Sequence, residues 1–232
     1  MEFNFFQPHL AYLEIDSLIF FPTLFISIIS KVKRRYKSLL LSMAIVSPLY
    51  LAWDFWATWV GSWNFNPKWV LGIYVFDLPL EEVLFFFVTP FATLLIYDFI
   101  TQKFKDKEVH FVTKRRVVMV SAFLLVMSAL LSSYSYTSID LLYLAISFLV
   151  VEYFDESMFR SRNYWVFLLL TYVPFFVFDY FLTSLPVVIY GPHSILGFRI
   201  STIPWEDAVY SFSMMNFYAL FYRRGVAAWR KV

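Results

Sequence analysis

Apolar residues in this chain come in blocks about as long as a bilayer is thick. Seven such stretches run at roughly 10–30, 38–59, 79–101, 115–133, 138–155, 163–184 and 204–223. A membrane-spanning helix needs about 20 predominantly apolar residues. In lipid the backbone must satisfy its own hydrogen bonds, which a helix does within one segment. The pattern therefore predicts an all-α, polytopic membrane protein with about seven transmembrane helices. The fourth span, around Val117–Leu131, is the cleanest; the fifth is short and carries Asp140 and Glu152.

The polar intervals between these blocks set the orientation. Lys and Arg fall after spans one (Lys31 to Lys37), three (Lys103 to Arg116), five (Arg160, Arg162) and seven (Arg223 to Lys231). Of the 19 basic residues, only Lys68 and Arg199 lie on the other side. Basic residues mark the cytoplasmic face. The expectation is a multi-pass protein of the cell membrane, N-terminus outside and C-terminus cytoplasmic. The N-terminal segment has no basic stretch ahead of its apolar run, so it is not expected to be a cleaved signal peptide.

The pattern also repeats. At an offset of 125 residues, Asp54 meets Asp179, Leu71 meets Leu196, Gly72 meets Gly197, Pro79 meets Pro204 and Glu81 meets Glu206. Glu82 meets Asp207, Phe87 meets Phe212 and Tyr97 meets Tyr222. Spans one to three then form a first copy (1–113) and spans five to seven a second (135–232), with span four (114–134) as connector. Equivalent spans sit four apart, so both copies point the same way and are parallel repeats about an axis along the membrane normal.

Composition narrows the class. Apolar residues make up 60% and charged residues 16% of the 232, against about 45–50% and 25% in soluble proteins. There is no cysteine, the three histidines are far apart, and the five glycines form no nucleotide-binding fingerprint. No metal, cofactor or nucleic-acid partner is expected. No lysine lies inside a span, which excludes a retinal Schiff base.

The candidate chemistry lies in carboxylates. Acids within spans are costly and mark function by default. Asp54 is 16 residues above Ser38, about 24 Å up a core about 30 Å thick. Asp179 is at a similar height. Glu81 and Glu82 start span three, and Glu206 and Asp207 start span seven. These six residues are the candidate site, in one layer near the outer face; Glu14 and Asp16 lie at the same level, and Arg199 is the one nearby basic residue. Proline followed by acids is also an ordinary helix start, and the many aromatics nearby are ordinary packing groups. Two copies with an Asp at a fixed distance favour function. Apolar surroundings favour a neutral carboxyl, and paired carboxyls share a proton, so such a layer holds a general acid beside a general base. Aromatic walls can also stabilise a cation.

Two Pro-x-Glu-(Glu/Asp) helix starts, each preceded by an intramembrane Asp, resemble the membrane-integral lycopene β-cyclase family. The motifs are Pro79-Leu80-Glu81-Glu82 followed by Phe85-Phe86-Phe87, and Pro204-Trp205-Glu206-Asp207 followed by Tyr210-Ser211-Phe212. The chain is similar to the two short polypeptides of the heterodimeric type joined into one. The resemblance implies an isomerase-type intramolecular cyclisation without net redox change: a linear ψ end group of lycopene is protonated, closes a six-membered ring and loses a proton to give a β-ionone end. It makes Glu81 and Glu206 the general acids, Glu82 and Asp207 the bases or proton-sharing partners, and Asp54 and Asp179 their tuning groups. The implied partners are a lipid-soluble carotenoid and the membrane, with other carotenoid-pathway enzymes or a second copy of the chain as further candidates. The alternatives are a cyclase with a longer substrate or monocyclic product, a proton-coupled transporter, and a non-catalytic carotenoid binder.

Overall fold

A computed structural model describes residues 5–229 of the chain. The start of the N-terminal segment (1–4) and two of the basic residues behind the topology, Arg230 and Lys231, lie outside the described residues. Seven long helices occupy the expected blocks: α1 (Ala11–Ile29), α2 (Tyr36–Trp59), α3 (Leu80–Lys103), α4 (Lys114–Leu130), α5 (Ser135–Phe154), α7 (Arg162–Ser184) and α8 (Trp205–Trp229). A one-turn helix, α6 (Glu156–Arg160), sits between α5 and α7. Five of these, α1, α2, α3, α5 and α7, are long and apolar enough to cross a membrane. The expected seven is thus reached in helices but not by this criterion. Helix α4 has 17 residues and begins Lys-Arg-Arg, and α8 carries Glu206, Asp207, Arg223 and Arg224.

The helices are apolar on their outer faces. Phe21, Phe25 and Ile28 on α1, Phe123 and Val126 on α4, and Leu169 and Val173 on α7 are exposed. Contiguous apolar surface of this kind is what lipid covers. The polar groups lie inside and knit the helices together. Pro90 in α3 has no N–H, so the carbonyl four residues earlier loses its helical donor. That carbonyl, of Phe86, accepts instead from Ser47 Oγ of α2 (2.8 Å) and the Tyr218 hydroxyl of α8 (3.0 Å). Asn216 of α8 donates to Ser147 Oγ of α5 (2.7 Å) and accepts from the Tyr164 hydroxyl of α7.

Six short strands, which the hydrophobic pattern does not predict, lie in the two long loops. In the first are β1 (Trp63–Phe65), β2 (Tyr74–Val75) and β3 (Leu78–Pro79); in the second, β4 (Val188–Tyr190), β5 (Arg199–Ile200) and β6 (Ile203–Pro204). Hairpins β2–β3 and β5–β6 lead into α3 and α8. Strand β1 pairs antiparallel with β4, in the register Trp63↔Tyr190, Asn64↔Ile189 and Phe65↔Val188. At the 125-residue offset Asn64 is the counterpart of Ile189, and the pair 63/190 maps onto 188/65. This strand pair is therefore centred on the local twofold that relates the repeats.

Candidate active site

The acids fall at one end of the bundle for a simple reason. Glu81 and Glu82 are the second and third residues of α3, and Glu206 and Asp207 those of α8. Asp54 and Asp179 each lie five residues before the end of α2 and α7. Helices that alternate in direction bring these ends to one level.

Within that layer the six divide into two sets. Glu81 Oε1 accepts the amide of Leu71 (2.6 Å), and Glu206 Oε1 accepts the amide of Leu196 (2.9 Å) and the Thr137 hydroxyl (2.7 Å). The next residues, Gly72 and Gly197, have φ of +83° and +89°, a backbone that side chains other than glycine adopt with strain. The first acid of each motif thus ties down the loop above its own helix. Neither lines the cavity described below.

Glu82 and Asp207 point inward. Glu82 Oε2 accepts the Tyr12 hydroxyl of α1 (2.6 Å) and is in carboxyl–carboxyl contact with Asp54. Asp54 Oδ1 accepts the Trp63 indole N–H (2.8 Å). Asp207 takes two hydroxyl donors, Tyr136 of α5 to Oδ1 (2.8 Å) and Tyr190 of β4 to Oδ2 (2.5 Å), and contacts Asp179. Desolvation, with Asp207 beside it, pushes the Tyr190 hydroxyl well above its ordinary range, so it remains a donor. Two carboxyls in contact repel as a pair of anions and are held together by one shared proton. Among the described residues none of the six forms an ion pair. Arg199 stays in the loop, stacked over Tyr190 at 5.4 Å.

One cavity joins the two repeats. Its walls are α1, α3, α7 and α8, and it holds about 1100 Å³ of empty space, mouth included. Glu82 faces it from α3, and Asp179 and Asp207 from α7 and α8. Below the acids it runs along Phe85, Thr89, Ala92 and Ile96. Glu82 to Ile96 is 14 residues of helix, about 21 Å at 1.5 Å each. The lining is overwhelmingly hydrocarbon and aromatic, with polar groups concentrated at the acidic end. It fits a long apolar molecule lying along the helices with one end at the carboxyls.

The sequence model of the lycopene cyclase family matches residues 9–100 and 133–224, one stretch in each repeat. The chain belongs to the lycopene cyclase family. The match thereby supports carotenoid cyclase chemistry, and the apolar bundle with its internal repeat fits a membrane enzyme. No curated protein and no solved structure matches the chain.

The two matched stretches lie 124 residues apart, not 125. At 124, Tyr12-x-x-Ile15-Asp16 overlays Tyr136-x-x-Ile139-Asp140. These tyrosines are the donors to Glu82 and Asp207, and the 125-residue register hides them by one position. Asp16 and Asp140 are buried one turn further along, and none of their oxygens has a hydrogen-bond partner. Glu14 stays apart, its carboxylate accepting the Gln7 amide (2.9 Å).

Proposed function

We propose that the protein is a lycopene β-cyclase in which acids from both repeats serve one composite site. The observation that carries this is an apolar cavity faced both by Glu82 from the first motif and by Asp207 from the second. A ψ end group folded between them gains a proton at its terminal double bond. The tertiary cation that results is attacked by the internal double bond six carbons along, which closes the ring. The second cation loses a proton to the base, and the β-ionone double bond remains. One proton enters and one leaves, so no oxidant or reductant is consumed.

Hydrogen bonding divides the roles. Asp207 accepts from two tyrosine hydroxyls, donors that satisfy the charged form, and we assign it as the base. Glu82 accepts from one hydroxyl and shares a proton with Asp54, and we assign it as the acid. Asp54 and Asp179 exchange protons with these two. Glu81 and Glu206, the acids implied by the motif alone, serve on this reading as loop anchors. Phe85, Phe178 and Tyr210 line the cavity and present π faces to the cations, an interaction of about 0.5–2 kcal/mol each where desolvated. The carboxyl layer lies at the outer face, with seven spans, the N-terminus outside and the repeats spanning 1–113 and 135–232.

The test is pigment analysis of lycopene-accumulating cells that express the chain. Bicyclic β-carotene is the expected product. Cells in which Glu82→Gln or Asp207→Asn replaces the native chain should retain lycopene, since general acid–base groups contribute about 10²- to 10⁴-fold. Unchanged lycopene with the native chain present in the membrane would overturn the lycopene assignment. A monocyclic product, or turnover of longer carotenoids only, would move the specificity and keep the chemistry.

A further inference from the structure

A twofold that relates two repeats should generate two cavities, yet among the described residues the cavity at the carboxyl layer opens on one flank, and the other flank is packed. The second flank lies where α5, α8, α2 and α3 replace α1, α3, α7 and α8. At three positions it carries larger side chains. Ile19 of the open flank corresponds to Tyr143, Ala92 to Phe217 and Thr93 to Tyr218. Phe175 and Phe178 line the cavity on α7; their counterparts on α2, Tyr50 and Trp53, point into the packed core.

The packing there is close. Trp53 lies 4.2 Å from the Tyr143 ring and 4.8 Å from that of Tyr210, centroid to centroid. Tyr50 lies 5.6 Å and 5.3 Å from the same two rings, and 6.3 Å from Phe217. Its hydroxyl is fixed to Ser213 Oγ at 2.7 Å. The Trp53 indole N–H is buried without an acceptor, so packing alone holds this ring in place. Glu82 and Asp207, which are repeat partners, both face the open flank.

We infer that these aromatics plug a second substrate channel, so that the protein takes one end of a linear carotenoid at a time and releases it before the other end can enter. Tyr143, Trp53 and Tyr50 are then the residues that fix the number of channels at one. The inference rests on the proposed cyclase reading for its substrate, but its test reads occupancy and release separately from chemistry.

Protein carrying Asp207→Asn, in lipid nanodiscs, is saturated with lycopene, and the bound polyene is counted by absorbance. The expected result is a single lycopene per chain. Adding Tyr143→Ile, Trp53→Phe and Tyr50→Phe, each the residue of the open flank, should admit a second. Two lycopenes bound before the plug is changed, or one after it in a folded protein, would overturn the inference. Where the triple variant does not fold, Tyr143→Ile alone is measured, and an unchanged capacity counts against the plug. With the native protein, labelled lycopene chased by excess unlabelled lycopene after the first turnover should leave label in a free monocyclic product. Label passing to the bicyclic product through the chase would show that both ends react without release. Absence of any cyclised product, with binding intact, would strike the cyclase reading and leave the occupancy result standing.

Discussion

Phe65 and Tyr190 occupy equivalent places in the two repeats, each stacked on the tyrosine that serves its own acid (Tyr12 and Tyr136). Only Tyr190 has a hydroxyl, and it gives Asp207 a second donor that Glu82 lacks. Removing it should weaken the base without emptying the cavity. Tyr190→Phe is expected to slow β-ring formation about 10- to 10²-fold, the effect of a hydrogen bond to a charged group of about 1.5–3 kcal/mol. Lycopene binding should be unchanged in the same membranes. A second contrast separates the two acids of one motif. Glu82→Gln should abolish turnover while the protein melts normally. Glu81→Ala removes the acceptor for the Leu71 amide and should lower stability by about 1–3 kcal/mol, the cost of leaving a buried donor without a partner. A Glu81→Ala protein of native stability and no activity would reverse these roles. The six acids are legible in the sequence because Pro-x-acid-acid recurs in a fixed register. Their division is not, because it depends on a loop ten residues upstream folding back onto its own helix start. Tyr12 and Tyr136 escape the same reading because one residue separates the two registers.

At the scale of elements, hydrophobic blocks locate the ends of the seven long helices to within three residues, except that α8 runs six residues beyond its block. Lipid demands both length and continuity, and those are visible in a string of letters. The strands are not visible, since each has two or three residues, and β1 and β4 are held by pairing with each other across more than a hundred residues. The break that makes α6 is equally hidden; it follows Asp155, which binds Arg223 of α8 at 2.6 Å. Helix α8 shows the limit of hydropathy: Ser213, Asn216, Tyr218 and Tyr222 are buried against neighbouring helices and not against lipid. The β1–β4 pair closes the roof of the cavity through Trp63, Phe65, Val188 and Tyr190, and its fit depends on Gly191. A Cβ at Gly191 would lie 2.3 Å from the Gly61 carbonyl oxygen, a backbone atom that cannot move alone. At Gly72 a Cβ would meet nothing, and only the positive φ opposes it. Gly191→Ala is therefore expected to lower the melting temperature more than Gly72→Ala, whose cost is about 1–2 kcal/mol of backbone strain. Thermal unfolding in detergent ranks the two, and the reverse order would mean that the roof is not rigid.

For the whole molecule, the two ends of the bundle differ in charge, and one of them must face outward. The acidic end holds the candidate site, and at the other end Arg34 and Arg223 lie beside acids. Arg223 bonds Asp155 and the Tyr97 hydroxyl (3.0 Å), and Arg34 lies 3.9 Å from Asp98, which accepts from Tyr222 (2.6 Å). Tyr97 and Tyr222 are repeat partners, so the twofold extends through the full depth of the bundle. On the proposed topology the two repeats share one orientation, which requires an odd number of crossings between them, and α4 is the helix proposed to supply it. It packs chiefly on α5, outside the cavity, which suits a connector. Basic residues cluster at the α4 side of this end, and on that distribution we propose that it faces the cytoplasm. The absence of cysteine makes the orientation directly measurable. Single cysteines at Lys68 and His193, in the two loops above the acids, should react with an impermeant maleimide on intact cells. A cysteine at Lys107, in the α3–α4 loop, should react only after lysis. The opposite pattern would put the carboxyl layer at the inner face. Equal labelling of Lys68→Cys and Lys107→Cys from outside would mean that α3 does not cross, and the parallel repeats could not then share one site.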